Sequence, residues 1–166
     1  MPGALEFGPG AVCAAVTAAL IVIALCMANW GWVPILDSAN LVFHEAGHPI
    51  FGIFGDTLAL YGGTLGQLVF PTVVAVTFWR RRQMMGAALG AVWFLENGLN
   101  IARYASDARA QELPLVGGGD HDWFNILYRW DALAYDISIG RTITVLCWMG
   151  LMAVWVAAFW RWQFPK

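Results

Sequence analysis

The run AVCAAVTAALIVIALCMA, from Ala11 to Ala28, carries no charged side chain. As a helix it rises about 27 Å, close to the hydrocarbon thickness of a bilayer. Reading outward from it, four further apolar segments follow. Residues 38–55 lie between Asp37 and Asp56, 57–79 are free of charge, 84–104 become polar towards their end, and 142–160 are again free of charge. A spanning helix needs ~20 residues, so four of the five qualify, and 38–55 is either a span or a short helix packed inside the bundle. Residues 105–141 form a connecting loop. The expected fold is all-α, a single transmembrane domain over 1–166, built as an integral membrane bundle of four to five transmembrane helices with a short amphipathic surface helix.

Composition agrees. Of 166 residues, 60% are hydrophobic and 12% charged, about half the charge of an ordinary soluble domain. The net charge is −2, and the one basic cluster is Arg80–Arg82, which leaves no case for nucleic acid as a partner. Tryptophans 30, 32, 79, 160 and 162 fall at segment ends, as an aromatic belt requires. The first residues lack the basic region of a signal peptide, so 11–28 reads as a retained helix. By the positive-inside rule the Arg80–Arg82 turn and the C-terminus are cytoplasmic and 105–141 is outside. The N-terminus is outside if 38–55 spans and inside if it does not. Cys13, Cys26 and Cys147 lie in apolar segments and read as packing residues without a disulfide.

Against this background stands NLVFHEAGHPIFG, Asn40 to Gly52. His44-Glu45-Ala46-Gly47-His48 is H-E-x-x-H. On a helix, residues i and i+4 share a face, so both imidazoles can ligate one Zn²⁺. Glu45 then stands beside the activated water as general base. Three His and four Glu, shuffled through this chain, would produce the pattern roughly once in a thousand trials. Two hydrogen-bonded core histidines are the plainer alternative, but ionisable groups inside a membrane segment are functional by default. Pro49 removes the helix hydrogen bond to the Glu45 carbonyl and should bend the helix.

A catalytic zinc site usually has three protein ligands and an open position. The remaining histidine is His121, in LVGGGDHDWFN, where glycines 117–119 permit a sharp turn and Asp120 or Asp122 can cap a helix with an apolar stripe at Trp123, Ile126, Leu127, Trp130 and Ala134. We expect this loop to fold back and give His121 to the metal, with Asp122 or Asp120 orienting it or replacing it. Glu96 is the rival ligand. It starts a stripe of Glu96, Asn100, Arg103 and Asp107 on one helix face, which either offers Glu96 or Asp107 to the metal or is a structural network in which Arg103 pairs with Asp107. Gln67 reads as a helix–helix hydrogen bond.

These motifs carry a resemblance. The chain resembles a branch of small bacterial polytopic membrane proteins with FHEAGHPIFGIFGDTL, GGTLGQLVFP, ARYASDARAQELP and a late HDW, over about Asn40 to Leu133. The HEAGH motif alone is similar to the site-2-protease-like intramembrane zinc metalloproteases. The resemblance implies Zn²⁺ as cofactor, His44 and His48 as ligands, Glu45 as catalytic base, and a place in a bacterial inner membrane. The proteases take a third ligand from N-P-x-x-x-L-D-G, and this chain has no Asp-Gly pair. The expected function is hydrolysis of a peptide bond within or near the bilayer. The alternatives are hydrolysis of a lipid amide or ester, and a non-catalytic zinc-binding membrane protein. The expected partners are the bilayer and a membrane-protein or lipid substrate; the sequence assigns no oligomeric state.

Overall fold

The computed structural model describes residues 7–116 and 120–165. Glycines 117–119, where the sharp turn is expected, lie outside them. Six α-helices follow in order: α1 (Pro9–Trp30), α2 (Pro34–Gly52), α3 (Asp56–Arg80), α4 (Met84–Ser106), α5 (Asp122–Arg129) and α6 (Asp136–Gln163). A short 3-10 turn, Leu133–Tyr135, precedes α6. Among the described residues there is no strand.

Local chemistry sets the boundaries. Pro34 opens α2 at the position where its missing N–H costs nothing, and the Asp37 carboxylate accepts the Val33 N–H. The helix therefore begins four residues before Ser38. Its last turn passes through Pro49 without a break and ends at Gly52. α6 also begins before the expected Thr142, because buried Asp136 accepts the Ile137 N–H and pairs with Arg109 at 2.7 Å. α5 ends at Arg129, so Trp130 leaves the apolar stripe and donates to the Tyr61 hydroxyl instead.

Two clusters mark the ends of the bundle. Phe7 and Pro9 of the α1 start, Arg82 and Gln83 of the α3–α4 turn, and Arg161 of α6 surround one groove. Trp32, Leu60, Arg103 and the 113–116 segment surround a larger cavity at the other end. α1, α3, α4 and α6 therefore traverse the bundle. α2 does not. Only Gly31–Val33 join it to α1 and only Ile53–Gly55 join it to α3, so both its ends lie at the cavity end. α2 is also not among the helices long and apolar enough to cross a membrane.

Three helical stretches are long and apolar enough to cross a membrane: Pro9–Trp30, Asp56–Arg80 and Leu133–Gln163. α4 runs beside them but buries Glu96 and Asn97, which lower its apolarity. α1, α4 and α6 share a core around Val16, Ile23, Leu99 and Leu151. Ile101, Ala105, Ile126 and Leu127 form a second cluster that docks α5 against α4.

α2 meets α3 backbone to backbone. A Cβ on Gly62 would lie 2.7 Å from the Gly47 carbonyl oxygen, and no side chain can yield there. This close crossing brings the α2 histidines onto α3. Gly62→Val should lower unfolding stability in detergent by ~1–3 kcal/mol or more through overpacking. Gly8→Ala, where nothing lies within 4 Å, is the control and should change it far less. Equal melting of the two variants would contradict the crossing.

Candidate metal centre

His44 is buried and His48 half-buried, one turn apart on α2, with ring centroids 5.0 Å apart. Each imidazole has one nitrogen already committed. His44 Nδ1 lies 2.8 Å from Gln67 Oε1, and His48 Nδ1 lies 2.8 Å from the Ala59 carbonyl oxygen. Both partners are acceptors, so both Nδ1 atoms carry hydrogen. In the neutral rings each Nε2 is then a lone pair. Both lone pairs face one atom: Asp122 Oδ2 stands 2.8 Å from His44 Nε2 and 3.2 Å from His48 Nε2.

That convergence has few physical explanations. Without a metal ion, each contact to Asp122 needs its own proton, which either makes the donating ring cationic or sits on the carboxyl and serves one ring alone. A single divalent ion resolves the conflict with both rings neutral. The three ligand atoms lie within 4.8 Å of one another, against roughly 3.3 Å between the corners of a tetrahedral site at ~2.0–2.1 Å per bond. His44, His48 and Asp122 could therefore hold a metal ion. Gly63 gives the rings their room: a Cβ there would strike the His44 ring and lie 2.7 Å from His48 Nε2.

Behind His44 runs an oriented chain of amides. Gln67 Nε2 donates to Asn97 Oδ1 at 2.8 Å, Asn97 Nδ2 to Asn40 Oδ1 at 2.8 Å, and Asn40 Nδ2 to Glu96 Oε2 at 2.9 Å. Trp93 Nε1 also donates to Asn40 Oδ1. Each amide's direction is set by the next, so the acceptor face of Gln67 is held towards His44. A hydrogen-bonded outer partner of this kind fixes ring orientation and raises ligand basicity.

The structure distributes the expected site residues unevenly. Asp122 joins the two histidines, whereas His121 does not. Its Nδ1 accepts the Phe124 N–H at 3.2 Å and so caps α5, the role expected of an aspartate. Its Nε2 faces Asp107 Oδ2 at 3.4 Å, and its ring lies 4.2 Å from that of Tyr104. Burial lowers the pKa of this imidazole, in keeping with a neutral cap. The cap aims Asp122, the next residue. Asp107 does not pair with Arg103; it accepts the Glu112 and Leu113 N–H groups and closes the turn after α4. Glu96 ends the amide chain rather than meeting the histidines. Asp120 and Glu45 both line the cavity.

That cavity, of about 830 Å³, also contains His44, His48 and Asp122 in its wall. Tyr104 lines it too, and its hydroxyl oxygen accepts the Asp122 N–H at 3.1 Å. Tyr104, Asn97, Asn40 and the Ala59 carbonyl went unnoticed as site groups in the sequence. The crowded polar content of 93–104 was the available signal. Comparison with family models, with curated proteins and with solved structures finds no match.

Protein purified with zinc should hold close to one ion per chain. His44→Ala, His48→Ala and Asp122→Ala should abolish or greatly weaken that binding, whereas His121→Ala should retain it. Gln67→Ala should weaken it ~10–100-fold. Zinc content measured by mass spectrometry decides this. Retention in Asp122→Ala together with loss in His121→Ala would return the third position to His121.

Proposed function

We propose that this chain is a membrane-embedded zinc hydrolase that cleaves a peptide bond within or near the bilayer. The observation that carries the reading is the turning of both motif Nε2 atoms onto one Asp122 oxygen, with Glu45 on the wall of the same cavity. Zinc held there would polarise a carbonyl and acidify a water. His44, His48 and Asp122 would hold it, leaving a position open on the cavity side. Glu45 takes a proton from the attacking water as the C–O bond forms and the carbonyl oxygen gains charge, then delivers it to the leaving nitrogen as the carbonyl re-forms and the C–N bond breaks. Tyr104 accepts the Asp122 N–H and keeps its own O–H to donate to the developing oxyanion.

A second reading, hydrolysis of a lipid amide or ester, draws on the walls of the cavity. Leu41, Leu60, Leu113, Leu115 and Val116 line it, and among the described residues no strand edge is present to pair an extended peptide. The resemblance to the site-2-protease-like enzymes rests on the five motif residues and supports only the metal and the base. A zinc protein without catalysis is the outcome if Glu45 proves dispensable.

In this reading α1, α3, α4 and α6 cross a bacterial inner membrane and α2 enters without crossing. The Arg80–Arg82 turn, the α1 start and the C-terminal end share the cytoplasmic side. The cavity opens towards the outer half. Cysteines placed at Phe7 and Arg82 should both react with a membrane-impermeant thiol reagent only from the cytoplasmic side, and one at Leu115 only from the outside. Opposite labelling of 7 and 82 would mean that α2 spans.

Glu45→Gln preserves size and removes the base. Zinc content should stay near one per chain while turnover of a membrane-peptide or acyl-amide substrate falls by ~10²-fold or more. Full turnover in the Gln variant would remove the mechanism.

A further inference from the structure

The cavity wall includes one arginine, Arg103. Its guanidinium lies 6.0 Å from the centroid of the Trp32 ring, close to the turn at Gly31. The side chain is half-buried. The one arginine–carboxylate pair among the described residues joins Arg109 to Asp136 and leaves Arg103 out. Three carboxylates line the same cavity, and they are placed elsewhere. Asp122 is on the histidines, Glu45 stands next to His44 in the motif, and Asp120 is on the segment entering α5. The expected partner, Asp107, spends its oxygens on backbone N–H groups.

At that distance the guanidinium is at the outer limit of a cation–π contact with the indole, and no ion pair among the described residues takes its N–H donors. Its five N–H groups suit a carboxylate or phosphate, which can accept two of them at once. Away from the polar groups around the histidines, one part of the wall is of the opposite character. Leu41, Leu60, Leu113, Leu115 and Val116 offer an apolar surface. A volume of about 830 Å³ lies within the ~300–1,000 Å³ range that encloses most of a small ligand. An apolar patch and one unpaired cation on the same cavity wall suit a ligand with one hydrocarbon chain and one anionic group.

We propose that Arg103, seated on Trp32, binds the anionic headgroup of a single-chain amphiphile whose acyl chain fills the cavity. This deepens the hydrolase reading by naming its substrate class, and within that reading it favours an acyl-lipid amide or ester over a peptide. The headgroup anion is a carboxylate or a phosphate, both of which fit the guanidinium.

The test uses the full-length chain in neutral dodecyl maltoside. Dodecyl phosphate, dodecanoate and dodecanol are titrated below their aggregation thresholds, with binding followed by tryptophan fluorescence. At least one anionic probe should bind ~10-fold or more tighter than dodecanol. The tighter of the two identifies the headgroup. Arg103→Gln should bring all three within about twofold while dodecanol affinity and zinc content hold. Arg103→Lys should keep only part of the preference. Should Arg103→Gln fail to fold, Trp32→Leu reads the same point by loosening the guanidinium, and the preference should shrink. The preference should persist in His44→Ala protein without metal and in Glu45→Gln, so failure of the hydrolase reading leaves it standing. Three results overturn the proposal: equal binding of dodecanol and both anions, an anionic preference that survives Arg103→Gln, or one that vanishes with the metal, which would seat the anion on the zinc. An apolar peptide with a free C-terminal carboxylate that outcompetes every amphiphile also overturns it.

Discussion

Two imidazole nitrogens and one carboxylate oxygen converge where a metal ion could be held. The remaining features around the cavity serve to hold that arrangement. Gln67 and the Ala59 carbonyl take the Nδ1 hydrogens, which forces both Nε2 atoms inward. His121 caps α5 and delivers Asp122 to them. Remove either Nδ1 acceptor and its ring is free to rotate or change tautomer, which weakens the ligand set.

The path of α2 follows from the same constraint. α2 enters and leaves at the cavity end, with α3 packed against it through Gly47, Gly62 and Gly66. Small residues allow the two backbones close enough for α3 to provide both the Gln67 acceptor and the Ala59 carbonyl. Polar α4 completes the enclosure. Its Glu96, Asn97 and Asn100 are satisfied by α2 and α3 rather than by water, as a buried polar network in an apolar bundle must be.

Much of this was legible in the residues. Charge-free runs marked the apolar helices because a membrane solvent removes the usual need for polar surface. The i, i+4 spacing put His44 and His48 on one face before any coordinates. The sequence offers Asp122 as orienting His121 or replacing it, since a helix N-cap and a metal ligand draw on the same residue types, and in the structure the two adjacent residues exchange the expected roles. The start of α2 at Pro34 and of α6 at Asp136 depended on capping by buried aspartates, which window-based apolarity passes over. The return of α2 to its own end could not be read locally, because it is set by how α1, α3, α4 and α6 pair across the bundle. Arg103 was assigned to Asp107 by helical spacing, but the turn after α4 had a stronger claim on that carboxylate.

The ligand set is the central claim, and zinc K-edge X-ray absorption on the metal-loaded protein tests it most directly. The account predicts a four-coordinate ion with two imidazole nitrogens at ~2.0–2.1 Å and two oxygens, one of which is lost from the shell in Asp122→Ala protein. A shell with three imidazoles, with one imidazole or none, or unchanged by removal of Asp122, would contradict it.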